Sequence, residues 1–339
     1  MNIKQVVVTG QNQVSLQDVD LDESIGPDEL LVETECSFIS AGTELANYTG
    51  KEKLVFVSGS WCAYPWRSGY SNVGIVRKIG KNVTRFSPGQ RVFHFGPHAA
   101  FTRANQLAMI CEVPAGLDPV LAAASRMAGV AMTAPYVAEI AVNSSVAVFG
   151  LGMVGNIAAQ AFQIMGCRVM GVEPNAARRA LAEKCGISHT VGGTQQDVLK
   201  AIKEMNNGKM ADITVDAAGH SAVIQQALQA TATFGQLILL GSPRVPVEGN
   251  LTDVMSDIHL RWVTVRGALE WCLPTYPCTG SKYSLFSKQQ TIFDWMRRGL
   301  LKIEPQVSHR LKPKQIKEAY DGLLNQPDVF TGVVIDWRS

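Results

Sequence analysis

Three glycines at positions 150, 152 and 155 have the spacing of a phosphate-binding turn. They follow the apolar run Ser145 to Phe149 and open the segment Gly150-Leu151-Gly152-Met153-Val154-Gly155. The first glycine allows a tight turn, the second lets the backbone approach a pyrophosphate, and the third lets a helix pack closely against the strand. The pyrophosphate would lie on the helix N-terminus, where free N–H groups and the helix dipole favour an anion. This pattern predicts a strand, a phosphate-binding turn and a helix.

An acid follows the next apolar run at the distance that a dinucleotide site requires. Glu173 ends the run Cys167 to Val172 and stands 21 positions after Gly152. A carboxylate about 20 residues after the turn accepts hydrogen bonds from the adenosine ribose hydroxyls. Glu173 would repel a 2′-phosphate and so favours NAD, whereas Arg178 and Arg179 leave NADP possible because a nearby arginine can accommodate that phosphate.

Composition narrows the class of protein. The chain has 339 residues, enough for two domains, and a formal net charge of +2 with 18% charged residues. Neither nucleic acid nor a membrane surface is expected as a partner. Seven scattered cysteines without a CxxC pair are typical of reduced thiols in a cytoplasmic protein. The N-terminus lacks the features of a secretory signal, and Arg126, Pro135 and Glu139 interrupt the apolar stretch Leu121 to Val142, so no membrane span is expected there.

The elements that must position these residues fall into two groups. The first third has short strands separated by turn residues, which predicts a mostly antiparallel β-domain. From about residue 121, apolar strands alternate with helical segments, which predicts a parallel sheet with helices on both faces. Predicted strands are 5–8, 14–19, 30–37, 72–78, 91–95, 145–149, 168–172, 212–216, 236–240, 263–265 and 332–336. Predicted helices are 121–139, 156–165, 176–185, 195–206, 222–232, 289–298 and 313–324.

This organisation resembles the medium-chain dehydrogenase/reductase superfamily of the zinc-type alcohol dehydrogenases, in a branch that lacks zinc. The likeness covers the whole chain and includes these local features: Asp28 to Val32, Val73 to Val76, Pro88 to Val92, Thr133-Ala134 and Gly235 to Ile238. It implies an α/β protein with a GroES-like β-rich catalytic domain over 1–122 and 299–339, and a Rossmann domain over 123–298. The final strand is expected to return to the first domain.

The resemblance also locates the positions that bind a catalytic zinc in other members. These positions carry Ala41, Tyr70 with Ser71 beside it, and Gly129 before Thr133. Alanine and glycine have no donor atoms, and a catalytic zinc needs three ligands of the His, Cys or carboxylate type. Zinc is therefore not expected. A different site that uses His94 and His98 is disfavoured because spacing i, i+4 aligns ligands only on a helix and Gly96-Pro97 argues against one.

Without a metal, hydroxyl groups are the candidates that could stabilise charge on a substrate oxygen. Thr43 occupies the position that relays a proton in the zinc enzymes, and Tyr70 replaces the ligand histidine. Glu44 matches an acid that supports the zinc ligands. The alternatives are a turn-capping hydroxyl for Thr43, a half-buried aromatic with a backbone partner for Tyr70, and an acid that holds a loop for Glu44.

An aromatic cluster precedes Tyr70. Trp61, Tyr64, Trp66 and Arg67 either line a pocket for a flat or sugar-like substrate or pack at the edge of a domain.

The predicted cofactor-binding set extends to the ends of several strands. The resemblance places Thr133 near the nicotinamide and brings in the backbone after two later strands of the parallel sheet. The full set is Gly150, Gly152, Met153, Val154, Gly155, Glu173, Arg178, Thr133, Ala218, Gly241 and Ser242.

Three functions agree with these features. The first is a zinc-independent NAD(P)-dependent oxidoreductase that acts on a small-molecule alcohol or carbonyl compound. The second is an NADPH-dependent quinone or enone reductase, because enolate charge is more easily met by hydroxyl donors. The third is a nicotinamide-binding sensor that has lost its chemistry. The resemblance implies a homodimer or homotetramer.

Overall fold

The computed structural model describes residues 1–338, which form two compact units. Unit 1 comprises Met1–Arg126, Pro274–Arg297 and the chain from Gln306 to its last described residue. Unit 2 comprises Met127–Leu273 and Arg298–Pro305. The predicted bounds differ because they grouped 123–298 together. Helix Leu285–Arg297 belongs to unit 1, where Phe293 contacts the buried ring of Phe93 with centroids 6.1 Å apart.

The regular elements are numbered in chain order. The strands are β1 Asn2–Gly10, β2 Gln13–Asp20, β3 Glu29–Phe38, β4 Trp66–Arg67, β5 Asn72–Ile79, β6 Arg91–His94, β7 Phe101–Asn105, β8 Ile110–Glu112, β9 Ser145–Phe149, β10 Arg168–Val172, β11 Thr190–Val191, β12 Ala211–Asp216, β13 Thr231–Leu239, β14 Thr264–Gly267, β15 His309–Leu311 and β16 Val333–Asp336. The α-helices are α1 Ala41–Tyr48, α2 Pro119–Ala131, α3 Thr133–Val137, α4 Met153–Ile164, α5 Ala176–Lys184, α6 Gln195–Met205, α7 Ser221–Ala230, α8 Leu251–Leu260, α9 Leu285–Arg297 and α10 Ile316–Asn325.

Unit 1 is built on two β-sheets. Seven strands form the larger one, in the order β15-β16-β3-β5-β6-β8, with β7 also paired to β3. The smaller sheet has the order β2-β1-β4. The final strand β16 pairs antiparallel with β3 through Ile335 opposite Ser37, so the predicted return to the first domain is confirmed. Apolar side chains of β3, β5 and β6, including Leu30, Val76 and Val92, form one of its cores.

Unit 2 has the parallel sheet that was predicted, with six strands in the order β11-β10-β9-β12-β13-β14. The chain runs outward from β9 through β10 to β11 and then crosses back to place β12 on the other side of β9. A crevice at the carboxyl ends of strands where the order reverses is the usual ligand site of such sheets. All five residues of β9 are buried, because helices cover both faces of a parallel sheet.

Several elements depart from the prediction. The helix predicted over 121–139 is divided into α2 and α3 at Met132. Thr43, for which a turn-capping hydroxyl was one alternative, lies in the first turn of α1. The elements that were not predicted are α1, α8, β4, β7, β8, β11 and β15.

One helical stretch, Pro119–Val137, is long and apolar enough to cross a membrane, so the prediction that it falls short was wrong on length and composition. However, 78% of the 18-residue apolar segment within this stretch is buried inside the protein, which is typical of a core helix.

Candidate dinucleotide site and hydroxyl cluster

The turn after β9 has the geometry that its three glycines predict. Gly150 has a φ of +93°, a backbone conformation that favours glycine. A Cβ on Gly155 would collide with the carbonyl oxygen of Gly150, so the third glycine permits close packing of α4 on the strand. A Cβ on Gly152, whose φ is −59°, would meet nothing within 4 Å. The fold itself therefore does not require glycine at 152, and the space beside it is open to a ligand.

The start of α4 faces this open space. Gly152 is the N-cap residue and provides no side-chain acceptor for the N–H groups of the first turn. Met153 and Val154, the first two residues of the helix, are half-buried. Backbone N–H groups at a helix N-terminus bind anions, so this turn can hold a pyrophosphate.

Glu173 lies beside the turn, at the end of β10. Its Oε2 accepts a hydrogen bond from the Leu151 N–H at 2.9 Å, and its Oε1 accepts one from the Asn175 N–H at 3.0 Å. Arg178 Nη1 is 4.0 Å from Oε2, and Arg179 Nη1 donates to the Glu173 carbonyl oxygen at 2.7 Å. The carboxylate is thus fixed at the carboxyl edge of the sheet, and both arginines are held close to it.

The ends of β12 and β13 bring three further predicted residues together. Asp216 Oδ1 accepts hydrogen bonds from the N–H groups of Ala218 and Gly219, both at 3.1 Å. Gly219 has a φ of +66°, and a Cβ there would lie 2.9 Å from the Ser242 carbonyl oxygen. Gly241 packs so closely on Gly219 that a Cβ would overlap the Gly219 nitrogen. The predicted Ala218, Gly241 and Ser242 therefore share one edge of the sheet.

Asp216 is a residue of this edge that sequence reasoning missed. It is fully buried, and burial raises the pKa of its carboxyl group, partly offset by the two backbone N–H donors. Thr133, the remaining predicted cofactor residue, is buried on α3, where its Oγ1 donates to the Gly129 carbonyl oxygen at 3.4 Å.

In unit 1, three hydroxyl groups form what we call the hydroxyl cluster: Ser40, Thr43 and Tyr70. Ser40 is the N-cap residue of α1, Thr43 lies in its first turn, and Tyr70 precedes β5. The Tyr70 and Ser40 hydroxyls are hydrogen bonded to each other. Burial raises the pKa of Tyr70, while the charge of Arg126 and the hydroxyls of Ser40 and Thr43 partly offset the increase. Tyr70 is therefore protonated at neutral pH, and its partner is a side chain instead of the backbone.

Glu44 supports this cluster from behind. It is fully buried; its Oε1 accepts from the Ser40 N–H at 2.8 Å, and its Oε2 accepts from the Tyr320 hydroxyl at 2.6 Å. His98 Nε2 lies 3.0 Å from the same Oε2, and His98 Nδ1 lies 2.8 Å from Ser37 Oγ. These donors occupy the carboxylate of Glu44, which fixes the start of α1. This arrangement agrees better with the alternative of an acid that holds a loop than with contact between Glu44 and a substrate.

The positions that bind zinc in other members of the superfamily do not fit a zinc ion here. Ala41 and Gly129 offer no donor, and the Ser71 hydroxyl donates to the Ala123 carbonyl oxygen at 2.7 Å. His94 lies 3.2 Å from Thr102 Oγ1, separate from the network of His98. Within residues 1–338, no group of three or more His, Cys, Asp or Glu side chains is arranged to hold a metal ion.

The four residues of the cluster before Tyr70, three of them aromatic, divide into two pairs. Trp66 and Tyr64 pack against an apolar core of unit 1, whereas Trp61 and Arg67 are exposed. Trp61 contacts the edge of Trp66 with ring centroids 6.1 Å apart. Half of the cluster is therefore core packing.

Four residues of the hydroxyl cluster and its surroundings were not predicted as functional: Ser40, His98, Arg126 and Tyr320. Ser40 and Arg126 contact Tyr70, and His98 and Tyr320 contact Glu44. These partners are 30 or more positions apart in the sequence, so local patterns do not reveal the contacts. Arg126 did carry a signal, because it is the only charged residue between Asp118 and Glu139 in an otherwise apolar stretch. A charge in such a stretch is rarely buried without a partner or a function.

Comparison with protein-family models agrees with this geometry. Residues 26–139 match the alcohol dehydrogenase GroES-like domain, and residues 153–278 match the zinc-binding dehydrogenase domain. The chain belongs to the zinc-type alcohol dehydrogenase-like superfamily of medium-chain dehydrogenases/reductases and is an alcohol dehydrogenase-like oxidoreductase.

The chain is similar to several named dehydrogenases and oxidoreductases. The chain is 25% identical over 332 residues to L-threonine 3-dehydrogenase of Bacillus velezensis, covering 88% of this chain and 89% of the relative. It is 23% identical to D-guloside 3-dehydrogenase of Escherichia coli K12, with 94% and 96% covered. It is 26% identical to quinone oxidoreductase of Pseudomonas aeruginosa, with 70% and 72% covered.

Solved structures share the fold. The 2R,3R-butanediol dehydrogenase of Bacillus subtilis has a TM-score of 0.83 at 18% identity, with 98% of this chain and 99% of that chain covered. An alcohol dehydrogenase of E. coli CFT073 in complex with NADH has a TM-score of 0.82 at 16% identity, with 99% of both chains covered. A protein of Sinorhizobium meliloti 1021 bound to NADP has a TM-score of 0.77 at 22% identity, also with 99% of both covered.

Proposed function

We propose that the chain is a zinc-independent, NAD(P)-dependent oxidoreductase that interconverts a small-molecule alcohol and its carbonyl compound. The observation that supports this most directly is the open space at Gly152, beside a helix N-terminus and a fixed carboxylate. The glycine turn would hold the pyrophosphate, and Ala218, Gly241, Ser242 and Thr133 would contact the rest of the cofactor. A bound nicotinamide would supply or accept the hydride.

The proton of the reaction is assigned to the hydroxyl cluster. Hydride addition to a carbonyl carbon places negative charge on oxygen, and a positioned donor must stabilise it. Tyr70 is protonated at neutral pH and hydrogen bonded to Ser40, so its phenol can donate the proton. Thr43, in the first turn of α1, would help to orient the phenol.

NAD is the cofactor that we propose. Glu173 is anchored by two backbone N–H groups, and its carboxylate would repel a 2′-phosphate while binding ribose hydroxyls. Arg178 lies 4.0 Å from that carboxylate, and Arg179 donates to the carbonyl oxygens of Glu173 and Pro174. Both arginines are thus drawn toward Glu173, which weakens the case for NADP.

Reduction of a quinone or enone with NADPH is the second candidate. Donor groups without a metal can meet the charge of an enolate, and a quinone oxidoreductase is among the relatives. The anchored Glu173 argues against it because it disfavours the 2′-phosphate.

The test combines binding and turnover. The protein is titrated with NADH and NADPH in parallel by fluorescence, and then assayed with 2,3-butanediol and L-threonine plus NAD, and with a simple enone and a quinone plus NADPH. NADH preference with alcohol oxidation is the expected result. NADPH preference with enone or quinone turnover would favour the second candidate, and NADH binding without any turnover would favour a catalytically inactive sensor. Failure to bind either nucleotide would overturn the proposal.

We also propose a homodimer or homotetramer in the cytoplasm, with no nucleic-acid or membrane partner. The low net charge and the similarity to a dehydrogenase named for a small-molecule substrate support the absence of nucleic-acid and membrane partners. The exposed edge strand β14 of unit 2 supports the self-association.

A further inference from the structure

Arg126 is a buried cation held between two aromatic rings. Its side chain lies on α2 and is 1% exposed, and its guanidinium carbon lies 4.1 Å from the ring centroid of Phe95 and 4.7 Å from that of Tyr70. Tyr70 precedes β5 and Phe95 follows β6, and Asn72 pairs with His94 across these two strands. The sheet therefore sets both rings beside each other, and α2 brings the cation to them.

The position of this cation matters because its charge acts over a short distance. The guanidinium carbon lies 4.7 Å from the Tyr70 ring centroid, and an opposite charge within about 4–6 Å favours the ionised form of an acid. Arg126 therefore favours the phenolate of Tyr70, which an apolar residue at this position of an otherwise apolar stretch would not do.

We infer that Arg126 is a positioning residue that stabilises negative charge on the phenolic oxygen of Tyr70 when this oxygen gives its proton to the substrate. This inference rests on the proposed function, and it assigns to a guanidinium the positive charge that a zinc ion supplies in other members of the superfamily. Arg126 acts through Tyr70 and need not touch the substrate.

In the direction of reduction, one hydride and one proton are added to the carbonyl group of the substrate. The carbonyl carbon gains a hydride, the electron pair of the C=O π bond moves to oxygen, and that oxygen forms a bond to the proton of Tyr70. The O–H bond of Tyr70 breaks and leaves a phenolate. The hydroxyls of Ser40 and Thr43 donate hydrogen bonds to the phenolate, and the positive charge of Arg126 stabilises its negative charge. A proton from solvent then restores the phenol.

The charged and titratable groups that face Tyr70 act in opposite directions. Arg126 on α2 favours the phenolate, whereas Glu44 on α1 and burial disfavour it. Removal of Arg126 should therefore make the Tyr70 phenol harder to ionise. This effect is measurable without turnover, so it can be tested independently of the proposed function.

The experiment measures ionisation at position 70 directly. A fluorinated tyrosine, which has a more acidic phenol, is incorporated at position 70, and its ionisation is followed by ¹⁹F NMR in otherwise wild-type protein and in R126M, R126K and R85M. The matched control is R85M, because Arg85 also lies against rings, those of Phe86, Tyr276 and Phe286, at 4.6 to 5.2 Å. Circular dichroism verifies that each variant is folded.

We expect R126M to raise the pKa of the fluorinated phenol by about one unit, a tenfold change in its ionisation constant. R126K should raise it less, and R85M should leave it unchanged. If R126M does not fold, R126K carries the test: an increase smaller than the tenfold change expected for R126M would support the role of charge, and an increase of that size would overturn it. An unchanged pKa in R126M, or an equal increase in R85M, would overturn the inference.

A kinetic measurement separates the role of Arg126 from the proposed function. With 2,3-butanedione and NADH as probe, R126M should lower kcat at least tenfold and shift the pH profile upward, with R85M within twofold of wild type. Absence of turnover by the wild-type protein would count against the proposed function, while the titration at position 70 would still decide the role of Arg126.

Discussion

Glu173 is the residue on which the proposed preference for NAD rests. Its carboxylate is buried, accepts two backbone N–H groups and lies 4.0 Å from Arg178. Sequence spacing was enough to find it, because a strand end and a following helix place the side chain beside the glycine turn whatever the rest of the fold does. The contacts of Arg178 and Arg179 with Glu173 could not be predicted, since they depend on the direction in which the first turns of α5 point these side chains.

Replacement of Glu173 by glutamine keeps the size of the side chain and removes its charge. We expect E173Q to shift the ratio of dissociation constants toward NADPH by about 10- to 100-fold, because a hydrogen bond to a charged group is worth about 1.5–3 kcal/mol. Parallel fluorescence titrations of wild type and E173Q measure this shift. E183Q, which changes an acid farther along α5, serves as the control. An unchanged preference would show that the carboxylate does not contact the ribose.

His94 makes stability depend on pH. Burial lowers the pKa of His94 to about 4, whereas histidine in an unfolded chain titrates near 6.5. Between these values the unfolded chain binds a proton that the folded chain does not. The free energy of unfolding should therefore fall as the pH decreases from 6.5 to 4, by about 3 kcal/mol from this group.

A double variant isolates this contribution. In H94L/T102V both the imidazole and its hydroxyl partner are removed, so no buried polar group is left unpaired. Urea unfolding at pH 7 and pH 4 should show that the double variant loses about 3 kcal/mol less than wild type over this interval. Equal losses would mean that His94 is not the group that titrates.

The turn between β9 and α4 contains one glycine that packing requires and one that packing does not require. Gly155 is required for packing on the carbonyl oxygen of Gly150, whereas Gly152 has an ordinary φ and open space around it. The parallel sheet, the tight turn at Gly150 and the close packing at Gly155 were predictable, because strand periodicity and backbone crowding are local properties. The break of the predicted helix into α2 and α3 at Met132 was not, because the composition of the stretch remains helical across the break.

Two alanine substitutions test this separation. We expect G152A to fold with a Tm within about 2 °C of wild type and to lose at least tenfold in NADH affinity, because its methyl group would occupy the space for the pyrophosphate. G155A should lower Tm substantially, because its methyl group overlaps backbone and costs about 1–3 kcal/mol. Thermal unfolding and NADH titration of both variants provide the comparison. Normal NADH binding by a folded G152A would contradict the predicted site.

The edge strand β14 of the parallel sheet exposes apolar side chains. β14 pairs only with β13 in that sheet, as far as residues 1–338 show, and Val265 on it is 40% exposed. Trp262 just before β14 is 63% exposed and stacks on Phe234 with centroids 5.0 Å apart. An unprotected apolar edge favours pairing with another strand, which supports the proposed homo-oligomer.

A lysine on that edge should weaken self-association. We expect V265K to shift the protein toward monomers at micromolar concentration, because a charge on an edge strand opposes pairing. V142K is the matched control, since Val142 is 97% exposed outside any strand. Light scattering coupled to size-exclusion chromatography measures the mass of each variant. A monomeric wild type would contradict the proposed assembly.

The amino-acid sequence was sufficient for the class of fold, the parallel sheet of unit 2 and the glycine turn with its acid. These features follow from periodicity and backbone geometry over a few residues, which any structure must respect. The contacts of Glu44 with Tyr320, 276 positions away, and of Arg126 with Tyr70 and Phe95 could be found only once the chain was folded. They depend on packing between distant segments. A hydrogen bond or a ring contact between two such segments is determined by where the elements meet, so it has no characteristic spacing in the sequence.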